Sequence, residues 1–149
     1  LFEMLVLESF QAGLSWECIL NKRENFRRAY DEFDLDRVCG YDEEKIAELC
    51  SDSSIVRNKL KIRASISNAR IFRDIVKEQG SFYDYLCKFT DGEILYECDK
   101  TTNEWSDRIS ADLKKRGMKF VGSVIIYSFL QAVGVIYSHD SECGLYREK

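Results

Sequence analysis

Proline is absent from the 149 residues, and glycine occurs only eight times. A chain with so little turn punctuation is poorly suited to the many reversals of a sandwich or barrel, so helices are expected. Histidine occurs once, and the six cysteines (Cys18, Cys39, Cys50, Cys87, Cys98 and Cys143) contain no C-x-x-C pair. Their scatter, in a chain long enough to build its own core, argues against a disulfide framework. Ordinary thiols in a reducing, cytoplasmic setting are expected. No long hydrophobic run is present either. The longest, Val124 to Tyr137, is interrupted by Ser128, Gln131 and Gly134 and falls short of the roughly 20 residues a spanning helix needs. No signal-peptide pattern is visible, and no membrane partner is expected. Positive charge is also in deficit, with 22 Lys and Arg against 26 Asp and Glu for a net charge of −4. The bulk field would repel a polyanion, so any nucleic-acid binding must use a local basic face.

What is present is the balance of a cored protein, 45% apolar and 32% charged, over a length that suits one domain spanning 1–149. Leu1-Phe2-Glu3-Met4-Leu5 already reads as the middle of an amphipathic helix, and further residues are expected upstream. Phe2, Leu5, Ser9 and Ala12 trace one helical face. Gly13 breaks it, and Ser15 is placed to cap a second helix carrying Cys18, Ile19, Phe26 and Tyr30. From Asp31 to Asp52 nine carboxylates face only Arg37 and Lys45, and Tyr41-Asp42-Glu43-Glu44 opens a short helix. The sign then reverses, with seven cations between Arg57 and Lys77 against Asp74 alone. Here Ile62, Ile66, Ala69, Phe72 and Val76 form an apolar stripe, while Arg63, Ser67, Arg70 and Asp74 lie on another face. That face suits either solvent, with an Arg70–Asp74 pair, or a phosphate backbone. Gly80 ends the helix, and an aromatic helix follows at Phe82 to Phe89. Thr90 to Asp107 reads as a long connection, with Ser106 or Ser110 capping the next helix. Val124 to Tyr137 is apolar nearly all round and reads as a central buried helix. No strand is predicted.

Three constellations carry chemistry. Lys114 to Ser123 reads as helix, glycine-bounded hairpin, helix, with Gly117 and Gly122 allowing the turn. The amides entering the next helix would face a phosphate, with Lys119 and either Lys115 or Arg116 adding charge. A plain structural loop fits the same spacing. Glu8 lies late in an apolar helix, where a carboxylate is costly unless paired or facing a cleft. Trp16, beyond the glycine break, is placed to return to that cleft, and a carboxylate beside an indole suits a flat heteroaromatic ligand carrying positive charge. A surface Glu and a core Trp fit equally. His139 and Cys143 have a spacing suited to two zinc ligands, although two ligands do not make a structural site.

The blocks Leu7-Glu8-Ser9-Phe10-Gln11-Ala12-Gly13-Leu14-Ser15-Trp16, Lys22-Arg23-Glu24-Asn25-Phe26, Ile55-Val56-Arg57-Asn58 with Lys61-Ile62 and Asn68-Ala69, Leu113 to Gly122, Tyr127 to Ala132, and His139 to Cys143 occur in an order that resembles the DNA-3-methyladenine glycosylase I family. The resemblance runs from Leu1 to about Cys143. It implies an all-α, helix-hairpin-helix glycosylase fold and a monomeric enzyme of base-excision repair. Such an enzyme acts on double-stranded alkylated DNA, flips out 3-methyladenine and hydrolyses its N-glycosidic bond. On the family's pattern Glu8 accepts hydrogen bonds from the adenine edge and is the catalytic-site carboxylate, and Trp16 stacks on the ring. Gln11, Gly13 and Leu14 lie where the family inserts a backbone wedge into the gap left by the flipped nucleotide, and Gly117, Lys119 and Gly122 belong to the DNA-binding hairpin. His139 and Cys143 would supply two of four ligands to a structural zinc, with a Cys and a His from an N-terminal segment of about thirty residues completing it. That segment also carries Trp and Tyr residues of the base pocket. Asp140, near the position where other members of the wider superfamily keep a catalytic Asp, is assigned no such role. Two other classes compete with this reading. A catalytically silent DNA-binding module would not need Glu8 and Trp16 together. A helical scaffold using the acidic 31–52 stretch would give the basic hairpin no task.

Overall fold

The computed structural model describes residues 1–139 and 142–144. Among them the expected all-α architecture is found, as nine α-helices with one two-stranded ribbon. Helix α1 (Phe2–Gln11) is followed by α2 (Trp16–Asn21), α3 (Arg23–Ala29), α4 (Leu35–Cys39) and α5 (Glu43–Ser51). The long α6 (Lys59–Gln79) leads to α7 (Phe82–Thr90), α8 (Glu104–Lys115) and α9 (Ser123–Ala132). Strands β1 (Leu95–Tyr96) and β2 (Ile136–Tyr137) pair in parallel, Leu95 opposite Ile136 and Tyr96 opposite Tyr137.

The layout follows from burial. Helix α1 packs against α9 on one side and α6 on the other, so Leu5, Val6, Leu7 and Phe10 are all buried. Phe10, Phe26, Tyr30 and Phe33 interlock below α1, and Phe72 stacks on Phe82 at 4.0 Å beneath α6. One continuous cluster thus joins residues from Phe2 to Ile136.

Several local expectations hold. Ser15 caps α2 through the Cys18 amide, Asp42 caps α5, and Gly80 closes α6 at φ +91°. In the α6 stripe Ile62, Ile66, Ala69 and Phe72 are buried, with Val76 half-buried at its end.

Others need correction. The helix expected from Cys18 through Tyr30 breaks at Lys22, giving α2 and α3. The cap of α8 is Asn103, which accepts from the Ser106 amide while Ser106 Oγ accepts from the Asn103 amide. Ser106 therefore occupies the third helical position of a capping box, and Ser110 bonds instead to the Val121 carbonyl. The final apolar helix stops at Ala132. Gly134, at φ +79°, turns the chain so that Ile136 and Tyr137 become a strand. An apolar run of this length reads alike as helix or buried strand, and the pairing partner in β1 lies forty residues upstream.

The basic face of α6 is also not a phosphate-facing surface. Arg63 makes a two-pronged ion pair with Glu43, Arg73 lies 3.6 Å from Asp36, and Arg70 donates to the Cys39 carbonyl. The acidic stretch and the basic helix fold onto each other. This leaves the two stretches partly compensated by each other.

Candidate active site

The end of α1, the start of α2 and the α9–β2 segment enclose a cleft of about 590 Å³, lined by Glu8, Gln11, Trp16, Ser128, Gln131, Tyr137, Ser138 and His139 among others. Glu8 reaches it because α1 is buried on both long sides. Its position is 3% exposed, and only the cleft opens beside it. Burial pushes the Glu8 carboxyl up to about 7 from an ordinary 4.5, and no cation or hydrogen-bond donor among the described residues offsets that shift. A carboxylate held this way binds a ligand that brings donors or positive charge, because the ligand replaces the water that burial removed. Trp16, at the first position of α2, contributes its half-buried indole to the same wall.

Gln11 to Leu14 form a type II turn between α1 and α2. Ala12 sits at φ −48°, ψ 112° and Gly13 at φ +80°, and the Leu14 amide bonds the Gln11 carbonyl at 2.7 Å. Only glycine takes that third turn position without strain. Gln11 Nε2 donates to the Leu14 carbonyl at 2.9 Å, and the Leu14 side chain stands 38% exposed at the tip. A rigid, apolar tip beside the cleft has the shape of a wedge.

The hairpin between α8 and α9 is as expected. Gly117 adopts φ +100°, and Gly122 is the residue from which α9 starts. The Asn68 side chain grips Lys119 at both its amide and its carbonyl, at 2.9 and 2.8 Å. This leaves the Lys119 side chain exposed beside the exposed Lys114 and Lys115. Arg116, one of the two alternatives for added charge, is committed elsewhere: it binds Asp112 and Glu78 at 2.9 Å each and lies over the Tyr85 ring.

His139 Nδ1 and Cys143 Sγ face each other at 3.3 Å. Two donors of a tetrahedral zinc, with bonds of about 2.0 and 2.3 Å, stand about 3.5 Å apart. The pair therefore fits half of such a site. Among the described residues no third His, Cys, Asp or Glu joins it. Asp140 lies outside the described residues.

The cleft residues that sequence reasoning missed are Ser128, Gln131, Tyr137 and Ser138. Gln131 Nε2 donates to Ser138 Oγ at 2.6 Å, tying the end of α9 to the segment after β2. Gly134 within the apolar run was the one signal that could have pointed to this reversal.

This geometry can be set beside known proteins. The methyladenine glycosylase family model matches residues 1–147. The chain belongs to the methyladenine glycosylase family. It is 41% identical to DNA-3-methyladenine glycosylase 1 of Escherichia coli (strain K12), over 98% of this chain and 81% of that protein. It is 32% identical to the DNA-3-methyladenine glycosylase of Haemophilus influenzae, over 96% of this chain and 80% of that protein. Among solved structures, 3-methyladenine DNA glycosylase I from Staphylococcus aureus superposes with a TM-score of 0.93 at 30% identity, covering 99% of this chain and 82% of that one. A variant of 3-methyladenine DNA glycosylase I in complex with 3-methyladenine superposes at 0.91 with 32% identity, covering 96% and 80%.

The Glu8 environment has a consequence for stability. Its folded pKa of about 7 exceeds the unfolded value of 4.5, so the native state binds more protons between those values and loses stability as pH rises through them. Glu8→Gln removes that penalty. At pH 8 the variant is expected to unfold at higher urea than the parent, by on the order of 2 kcal/mol once solvent at the carboxylate tip is allowed for. Near pH 4 the two should coincide. A stability difference independent of pH, measured by urea denaturation, would remove desolvation as the cause.

Proposed function

We propose that the cleft is the site at which this family member removes 3-methyladenine from alkylated DNA, and that its residues act mainly by recognition. The observation that carries the reading is the unpartnered, desolvated Glu8 carboxylate opening into the cleft beside Trp16. Methylation at N3 makes the adenine of the nucleotide cationic and a good leaving group, so little acid catalysis is required. Extruding the base costs a few kcal/mol of unstacking. The Gln11–Leu14 turn offsets part of that cost by filling the gap with the Leu14 side chain. Glu8 accepts from the donors on the adenine edge, and its negative charge favours the cationic base over neutral adenine. Trp16 supplies the stacking plane. Water then completes hydrolysis of the N-glycosidic bond.

The duplex is held at the helix-hairpin-helix element formed by α8, the Gly117–Gly122 turn and α9. The α9 amides and the Lys119 side chain meet phosphate there, a contact that positions without reading sequence. The protein acts as a monomer in the cytoplasm. A structural zinc, held in part by His139 and Cys143, would tie the C-terminal segment to ligands outside the described residues. The chemistry it supplies is cross-linking alone.

Three outcomes test this reading. Methylated duplex DNA should release 3-methyladenine, and Glu8→Gln should lower both that release and the affinity for the free base, because an amide also donates where only an acceptor is wanted. Unchanged affinity by calorimetric titration would take Glu8 out of the pocket. Lys119→Ala should weaken binding to any duplex about equally and reduce the slope of log K against log salt by about 1. An unaltered slope would turn the hairpin away from DNA. His139→Ala and Cys143→Ala should each lower zinc content, by elemental analysis, together with the melting temperature. Stoichiometric zinc in both variants would sink the metal assignment.

A further inference from the structure

Two polar residues of α6 are buried without any part in the chemistry above. Lys61 is 8% exposed and Asn68 is 4% exposed. They lie seven residues apart, two turns along the same face of a 21-residue helix. Lys61 Nζ donates to the Phe10 carbonyl at 2.8 Å and to the Ala12 carbonyl at 2.5 Å. Both acceptors are at the end of α1, and Ala12 is the second residue of the Gln11–Leu14 turn. No carboxylate pairs with this ammonium among the described residues, so its charge is spent on backbone carbonyls at the negative end of the α1 dipole. The same Nζ lies 5.9 Å from the centre of the Phe120 ring, in the hairpin. Asn68 holds the residue before Phe120 by both backbone groups. Phe120 itself sits at φ +56°, a left-handed conformation that a bulky residue keeps only when its surroundings impose it. The Asn68 clamp on one side and the Ser110 bond to the Val121 carbonyl on the other provide that constraint.

We propose that Lys61 and Asn68 are positioning residues that fix the separation and orientation of the Gln11–Leu14 turn and the Gly117–Gly122 hairpin, so that α6 makes one rigid DNA-gripping unit of two loops distant in sequence. This rests on the reading that both loops face DNA. Neither residue touches the base or the phosphates. Their effect is to order both loops before the duplex arrives, which removes an ordering cost from binding. Lys61 is the closer coupling of the two, since one ammonium contacts both loops.

The test separates duplex binding from base binding. Lys61→Met and Asn68→Ala are each expected to weaken affinity for a methylated duplex about tenfold, measured by anisotropy well below the melting temperature. Affinity for free 3-methyladenine by titration should stay within about twofold, since Glu8 and Trp16 are intact. The double variant should lose little more than the weaker-binding single variant, because breaking either tie already uncouples the loops. Independent local roles would instead multiply. Lys61→Arg, which keeps a donor of similar reach, should recover most of the loss. Should Lys61→Met fail to fold, Asn68→Ala alone decides by the same two affinities. Unchanged duplex affinity in Asn68→Ala, with Lys119→Ala still weakening it, would overturn the positioning role and spare the DNA-facing hairpin. Unchanged affinity in both would overturn the two together. Equal losses of duplex and free base would show a general loss of structure and also overturn the proposal.

Discussion

The site depends on the burial of α1 on both of its long sides. A ten-residue helix packed between α6 and α9 buries most of its side chains right up to its C-terminal end. Glu8 lies one turn before that end, so its carboxylate is stripped of solvent yet left one opening, toward the cleft. Were α1 a surface helix, the same residue would be an ordinary hydrated glutamate. Packing thus creates the electrostatics of the site.

Charge elsewhere is largely paired within the chain, while the hairpin keeps exposed lysines. The net charge of −4 would be a handicap for a DNA-binding protein if it were spread evenly. Instead Arg63, Arg70 and Arg73 are turned onto the segment that holds Glu43, Asp36 and the Cys39 carbonyl. The largest block of negative charge is thereby partly compensated within the chain. Lys114, Lys115 and Lys119 remain exposed at the hairpin, where a phosphate can reach them. The scaffold reading, which needed a free acidic patch, loses its main feature for the same reason.

How much of this was legible in the sequence varies with the range of the interaction. Helix identity, the Ser15 cap, the helix opening at Asp42-Glu43 and the Gly80 stop all depend on residues within one turn of each other, and the sequence shows them. Glu8, Gln11, Gly13 and Trp16 were also visible, because they cluster within nine residues around a single break. The β1–β2 ribbon was not, since its strands have two residues each and are paired across forty positions. Without that pairing, Tyr137 and Ser138 could not be placed in the cleft. The fate of the basic α6 face was equally hidden. Charge counting shows seven cations, but only the packing of α4 and α5 on α6 decides which of them are already answered. Asn103 escaped because serine and asparagine cap equally well, and the choice among 103, 106 and 110 turns on where the chain enters the core.

The same division explains why Lys61 and Asn68 drew no attention as functional residues. In the one-dimensional pattern they sit beside the apolar stripe of α6 and look like its polar border. Their partners, Phe10, Ala12 and Lys119, are each about fifty residues away. A buried lysine with no acidic partner is costly, and a buried asparagine with both ends satisfied by backbone is a fixed joint rather than a flexible one. The two together restrain both the turn that bears Leu14 and the loop that bears Lys119. On the proposed function the first is the wedge and the second the phosphate grip on one duplex. The separation of the two loops is spanned by two turns of α6.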